Sequence, residues 1–263
     1  MGRIAGIVLD LDGCIYIGEK PIEGAAESIY RLRVMGYQIL FLTNNSTLSR
    51  RSYVEKLAKM GITASVEEIL TSGVIAARYL ARLTPRPRIL AVAESGFLEE
   101  ASELGLEILD LEEWRMATHV VSGLDRSLTY HKLSRACRAI LSGASYICTN
   151  PDNLYPSGDG YDPGAGSIAA AISSATGVKP IYMGKPYDEC VRHVIELMGV
   201  GGDRILFVGD RVDTDIALAH RAGGIGVLVR TGLSGVVMGG DAKPDYIIDS
   251  VAHLPSLLMS EML

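Results

Sequence analysis

The chain is short of several things, and each shortage removes a class of protein. Four cysteines, Cys14, Cys137, Cys148 and Cys190, lie far apart with no C-x-x-C pair. They indicate neither a disulfide framework nor a cysteine zinc site and read as packed thiols. No apolar run reaches the roughly 18 residues of a membrane span, and the nearest candidate, GGIGVLVRTGLSGVVMGG, is cut by Arg230. Positive charge is in deficit, with 25 Lys and Arg against 31 Asp and Glu and a net charge of −6. That balance argues against a general nucleic-acid or anionic-membrane partner while leaving room for a local basic pocket. The apolar run from Ile4 stops at Asp10, too short for a signal-peptide core and lacking a small-residue cleavage site, so a cytoplasmic protein is expected. His119, His131, His193, His220 and His253 have no zinc-type spacing, and no G-x-S-x-G elbow occurs.

What is present is the substance of a sizeable core: 263 residues, 48% hydrophobic and 21% charged, fit a large globular domain or a core carrying a second lobe. RIAGIVLD, QILFLTN, RILAVA, THVVSG, YICTN, RILFVGD and IGVLVRTG are short continuous apolar runs. Such runs suit strands of a parallel sheet covered on both faces. Helical patterns separate them. One begins near Glu23 with Ala26, Ile29, Tyr30, Leu32 and Val34 before Gly36; another begins near Ser49 with Tyr53, Val54, Leu57 and Ala58 before Gly61. Each has a glycine where a helix would stop, so the expected fold is α/β with right-handed crossovers. Proline-bearing stretches, RLTPRPR and TGVKPIYMGKP, bracket a smaller βα series. The expected organisation is therefore a core of residues 1–80 and 181–263 with an inserted lobe at 81–180, against the alternative of one continuous sheet.

Three buried runs end in polar groups: IVLD at Asp10, LFLTN at Thr43 and Asn44, and LFVGD at Asp210. Ligands of open α/β sheets bind outside the carboxyl ends of the strands, so these groups can converge. Carboxylates gathered at one place resist ionisation unless a cation joins them, and a hard oxygen-binding ion such as Mg²⁺ suits that need. An EF-hand loop starting at Asp10 fails, because Cys14, Ile15 and Pro21 fall where an oxygen ligand, Gly and Glu belong. A strand-end turn at Asp12 and Gly13 accounts for one Asp but not for three polar strand ends.

DLDG from Asp10, LTNNS from Leu42, GKP from Gly184 and GDRVDTD from Gly209 resemble the four ordered motifs of the haloacid dehalogenase-like hydrolases. The long insertion carrying TNPDN and DPGAGSIAAAISSATGVKP is similar to the p-nitrophenylphosphatase-like branch with its large class II cap. That branch includes phosphatases of phosphoglycolate, pyridoxal phosphate and nucleotides. The resemblance implies a Rossmann-like core with an α/β cap at 81–180 that selects substrate, and a phosphatase acting on a small phosphorylated metabolite. It further implies Asp10 as nucleophile and Asp12 as general acid and base. Phosphate would be held by Thr43, the Asn44 backbone and Lys185, and Mg²⁺ by Asp10, the Asp12 carbonyl and Asp210. Asp215 and Asp213 would stand behind them, Asp215 also capping the helix IALAHRAG. In the cap, Asn150 and Asp152 are the candidates for substrate contact, with Tyr155 and Tyr161 stacking on a leaving group or packing plainly. The partial dinucleotide fingerprint GAGSIA, preceded by Pro163, reads as close backbone packing at a helix entry. YIG after Asp12 suits a short mobile flap, and the branch sets the expectation of a homodimer through the cap. A phosphotransferase or phosphomutase of the same superfamily, and a phospho-aspartate signalling module, remain the competing readings; receiver modules are about half this length.

Overall fold

A computed structural model describes residues 4–157, 160–232 and 241–261. Residues 158–159 of the glycine-rich loop and 233–240 of the late apolar stretch lie outside the described residues. Along the chain come β1 (Gly6–Asp10), a hairpin of β2 (Tyr16–Ile17) and β3 (Lys20–Pro21), α1 (Ala25–Val34), β4 (Gln38–Thr43), α2 (Arg50–Lys59) and β5 (Ile69–Thr71). Next are α3 (Ser72–Ala81), β6 (Arg88–Val92), α4 (Ser95–Glu103), β7 (Glu107–Ile108), β8 (His119–Ser122), α5 (Tyr130–Leu141) and β9 (Ser145–Cys148). A hairpin of β10 (Leu154–Ser157) and β11 (Gly160–Pro163), α6 (Ala165–Thr176) and β12 (Ile181–Tyr182) follow. Finally α7 (Asp188–Met198), β13 (Ile205–Gly209), α8 (Ala217–Ala222), β14 (Ile225–Val229), β15 (Tyr246–Ile248) and α9 (Leu254–Glu261) return to the first sheet.

The chain divides into two units. The first holds Met1–Thr43, Arg51–Leu70 and Lys185–Leu263; the second holds Asn44–Arg50 and Thr71–Gly184. The insertion thus begins before the expected residue 81 and takes in α3 as well as the segment after Thr43. A proline pair marks where a chain turns, not which packed unit the preceding helix joins.

In the first unit six strands run in the order β15-β14-β13-β1-β4-β5. β1 is parallel to β4 and β13, with Leu9 opposite Phe41 and Val208. The first strand therefore lies between neighbours from distant parts of the chain, a strand-order reversal that opens a crevice at the carboxyl ends. Every residue of β1 and of β13 is buried, which explains why they read as unbroken apolar runs. Each large aliphatic side chain so buried contributes about 1.5–3 kcal/mol. The helix stops fall as the sequence indicates, with Gly36 and Gly61 at φ 89° and 78°, a backbone region that disfavours a Cβ. The face of α1 differs from its sequence reading: Ala25, Ser28, Ile29 and Leu32 are buried, whereas Tyr30 and Val34 are exposed. Both lie off the Ala25–Ile29–Leu32 stripe, and an apolar count does not resolve that phase.

The second unit has its own parallel sheet, ordered β12-β9-β8-β6-β7. Leu90, Val92 and Val120 pack with Ile140 of α5 and Ile168 and Ile172 of α6. At the entry to α6, a Cβ on Gly164 or Gly166 would collide with the main-chain oxygens of Asp152 and Pro151. GAGSIA is therefore a close-packing device, as read from the sequence. No described helix is long and apolar enough to cross a membrane.

Candidate active site

The site of the first unit is built at strand ends. β1 delivers Asp10, and β13, one strand away, delivers Asp210. Past Asp210 the chain makes a five-residue helical turn, Val212–Ile216, which carries Asp215 inward. Lys185 precedes α7 and is buried between the acids. Its Nζ donates to Asp10 Oδ1 at 2.5 Å and to Asp215 Oδ1 at 2.6 Å. Asp10, Asp210 and Asp215 are all buried and offer carboxylate oxygens within 4.8 Å of one another.

Burial pushes the Asp10 carboxyl well above the ordinary carboxylate range; Lys185 opposes this, while Asp215 and Asp210 add to it. Burial works against the charge of Lys185 too, but Asp10 and Asp215 outweigh it and raise its pKa above the usual lysine value. Three carboxylates around one ammonium give an excess of acidic groups in a largely buried place. Hard oxygen donors with that excess are the donor set a small divalent cation requires. The pocket is also shaped around Asp210. A Cβ on Gly13 would sit 2.5 Å from Asp210 Oδ2, and one on Gly232 would strike the same oxygen, so two backbones approach the carboxylate with no side chain between.

Asp12 is half-buried, which raises its carboxyl pKa, while the nearby Lys56 ammonium lowers it. Lys56 lies 4.1 Å from the centroid of the Tyr16 ring and pairs with Glu19 at 3.2 Å. Thr43 is buried at the end of β4, and its hydroxyl is hydrogen-bonded to the Tyr53 phenol from α2. Thus Asp10, Lys185, Asp210 and Asp215 come together directly, with Asp12 and Thr43 at the ends of the same strand segments. Asp213 lies outside the acidic cluster: Arg211 Nε and Nη2 hold its carboxylate at 3.0 and 2.7 Å. Nor is Asp215 the N-cap of IALAHRAG. It lies within the helical turn before α8, and its Oδ2 accepts from the Arg211 backbone N–H at 3.1 Å, because the turn begins at Arg211 and not after Asp215.

The chain belongs to the haloacid dehalogenase-like hydrolases. A model of that family, described as haloacid dehalogenase-like hydrolase, matches residues 7–107, and a second, HAD-hydrolase-like, matches residues 182–254. An acid sugar phosphatase of Staphylococcus aureus is 36% identical over 234 residues, 89% of this chain and 89% of that protein. The p-nitrophenyl phosphatase of Archaeoglobus fulgidus superposes with a TM-score of 0.90 at 34% identity, covering 98% of this chain and 100% of the other. A 4-nitrophenylphosphatase of Thermotoga maritima gives 0.88 at 34%, covering 96% and 97%. This hydrolase therefore falls in the p-nitrophenylphosphatase-like branch, and its named relatives are phosphatases.

The second unit of this haloacid dehalogenase-like chain carries the remaining candidates. The Asn44 side chain donates to Asp152 Oδ2 at 3.1 Å, and its main-chain oxygen accepts from Ser72 Oγ at 2.5 Å and Asn150 Nδ2 at 2.7 Å. Asn150 is buried, and its Oδ1 accepts from the Asp152 backbone N–H at 3.1 Å. Both ends of that amide are thus engaged in holding main chain. Tyr155 and Tyr161 lie on the paired strands β10 and β11, with Tyr155 hydroxyl donating to Asp162 at 3.4 Å. Sequence reasoning missed Tyr53, Lys56, Thr231 and Gly232. Thr231 follows the buried strand β14, and its Oγ1 donates to the Gly13 carbonyl at 2.6 Å, so the strand-end rule applied to VRTG would have found it. Tyr53 stood in the sequence only as one of the apolar positions of α2, and Lys56 carried no such signal.

Proposed function

We propose that this protein is a Mg²⁺-dependent phosphatase that hydrolyses small-molecule phosphate monoesters through an aspartyl-phosphate on Asp10. The observation that carries the reading is the buried Lys185 bridge between Asp10 and Asp215, with Asp210 in the same cluster.

An Asp10 oxygen attacks phosphorus, the bond to the leaving oxygen breaks, and Asp12 gives that oxygen its proton. A water then attacks the phosphorus of the aspartyl-phosphate, Asp12 takes the water's proton, and inorganic phosphate leaves with Asp10 regenerated. Splitting the hydrolysis in this way replaces one hard displacement by two easier ones. An anion approaching a phosphate dianion is repelled, so charge neutralisation supplies much of the acceleration. The Asp10 and Asp210 carboxylates and the Asp12 main-chain oxygen would hold Mg²⁺, which would supply positive charge to offset the negative charge of the phosphate. Lys185 adds a second positive charge and lowers the cost of ionising Asp10, which burial and the neighbouring Asp215 and Asp210 raise. The Thr43 hydroxyl and the Asn44 backbone N–H donate to phosphoryl oxygens, and Asp215 fixes Lys185. The second unit serves as the cap that selects the ester, with Asn150 and Asp152 shaping the loop after β9 and a homodimer forming through the cap.

The test is phosphate release from a panel of small esters with and without Mg²⁺, comparing the parent with Asp10→Asn. Metal-dependent release lost in the mutant supports the reading. A folded parent that turns over no ester yet is labelled at Asp10 by a phosphodonor refutes it in favour of phosphotransfer.

A further inference from the structure

Thr231 follows β14, which pairs in parallel with β13 so that Leu228 stands opposite Gly209. The residues after β14 therefore emerge at the same sheet edge as Asp210. Arg230 pairs with Asp249 at 3.1 Å, whereas Thr231 Oγ1 donates to the Gly13 carbonyl at 2.6 Å. A hydroxyl at a strand end ordinarily satisfies whatever carbonyl is nearest, and by itself that bond would mean little. What it holds makes it informative. The Gly13 N–H donates to the Tyr16 carbonyl at 2.7 Å, so with Thr231 on its oxygen both main-chain groups of Gly13 are engaged. Gly13 has a φ of 84°, a region open to glycine in which its two peptide planes would otherwise swing freely.

The peptide ahead of Gly13 carries the Asp12 carbonyl, and in a trans peptide that oxygen points opposite to the Gly13 N–H. Fixing the planes on both sides of Gly13 therefore fixes the direction of the Asp12 oxygen. The same segment confines Asp210. Gly232 comes so close that a Cβ on it would lie 2.6 Å from Gly13 Cα and would strike Asp210 Oδ2, so the carboxylate is held between two main chains. We propose that Thr231 is a positioning residue for the metal: by holding the Gly13 carbonyl it presets the direction of the Asp12 main-chain oxygen and, through Gly232, that of the Asp210 carboxylate. Mg²⁺ demands near-ideal octahedral geometry whereas Ca²⁺ accepts a flexible one, so preset ligand directions matter most for the smaller ion. The inference rests on the reading of Asp12 and Asp210 as Mg²⁺ ligands.

The experiment is calorimetric titration of Mg²⁺, and separately of Ca²⁺, into the metal-free parent, Thr231→Val and Thr231→Ser, with no substrate present. Thr231→Ala replaces the valine variant if circular dichroism shows the latter unfolded. Loss of a group that orients metal ligands predicts that Thr231→Val weakens Mg²⁺ binding about 10- to 100-fold and Ca²⁺ binding by a smaller factor, while Thr231→Ser, which keeps the hydroxyl, stays within about threefold of the parent. The Mg²⁺ concentration for half-maximal hydrolysis of p-nitrophenyl phosphate should rise in Thr231→Val by the same factor as the dissociation constant. A role confined to packing would lower the melting temperature in EDTA and leave Mg²⁺ affinity within about twofold of the parent's. That result overturns the proposal, as does a serine variant that binds as weakly as the valine one. A folded parent that takes up no Mg²⁺ overturns the metal reading itself and the inference with it; a parent that binds the ion no tighter than Thr231→Val overturns the inference alone.

Discussion

Lys185→Met is the perturbation that most directly tests the charge balance of the site. The substitution keeps a long apolar stem in a buried slot but removes the ammonium that bridges Asp10 and Asp215 at 2.5 and 2.6 Å. Three buried carboxylates whose oxygens lie within 4.8 Å of one another then face each other unopposed. At an effective dielectric near 20, each such pair repels by at least about 3 kcal/mol. The carboxylates escape part of that by taking up protons, so the loss of stability should match the usual cost of removing one partner of a buried pair, about 3–5 kcal/mol. For a chain of this size, that corresponds to a melting temperature lower by roughly 6–20 °C. The assay is a pair of thermal melts, in EDTA and in excess Mg²⁺. The drop should be largest in EDTA and smaller with the metal, since a divalent cation supplies the missing positive charge. Catalysis should fall by about 10²–10³-fold, the scale of one electrostatic donor at a developing charge. A variant that melts with the parent in EDTA, or keeps kcat within about fivefold, refutes the account of Lys185 as the counter-charge of the site.

Further outcomes follow from the same geometry. Asp10→Asn should lower phosphate release by at least about 10³-fold while the protein remains folded, because an amide cannot carry the phosphoryl group; turnover within tenfold of the parent would exclude Asp10 as nucleophile. Gly13→Ala places a Cβ 2.5 Å from Asp210 Oδ2 and should raise the Mg²⁺ concentration needed for half-maximal activity; a Mg²⁺ titration that superimposes on the parent's would show that Asp210 is not held by that approach. Asn150→Ala removes bonds to the Asn44 carbonyl and the Asp152 N–H and should cost about 1–3 kcal/mol of stability; unchanged stability with a raised KM would instead make Asn150 a substrate contact. Hydrogen bonding to Arg126 holds Glu94 below the ordinary glutamate range. A depressed carboxylate pKa stabilises above the unfolded value and loses that contribution as pH falls through the folded value. Arg126→Ala should therefore lower the melting temperature slightly at pH 7 and not at acid pH, within the roughly 1 kcal/mol of a surface pair; an equal drop at both pH values would contradict this.

Much of the molecule is legible in its order of residues. β1, β4, β6, β8, β9, β13 and β14 each announce themselves as apolar runs, because a strand covered on both faces has no polar side to show. Asp10, Thr43 and Asp210 stand out because a charge or hydroxyl at the end of such a run has no structural reason to be there. Tertiary structure alone decided which of these meet and on what terms. Asp10 and Lys185 are 175 positions apart, and Thr231 and Gly13 are 218 apart. Their contact depends on β1 lying between β4 and β13, and strand order is written in no local pattern. The same limit separates Asp213 from Asp215. Both are acids of one short motif, yet the pitch of a helical turn sends one to Arg211 and the other to Lys185. Sequence determines what each element is and what it carries at its ends; the packing of elements determines which way each side chain points, because a rotation of one residue on a helix turns a group from solvent into the site.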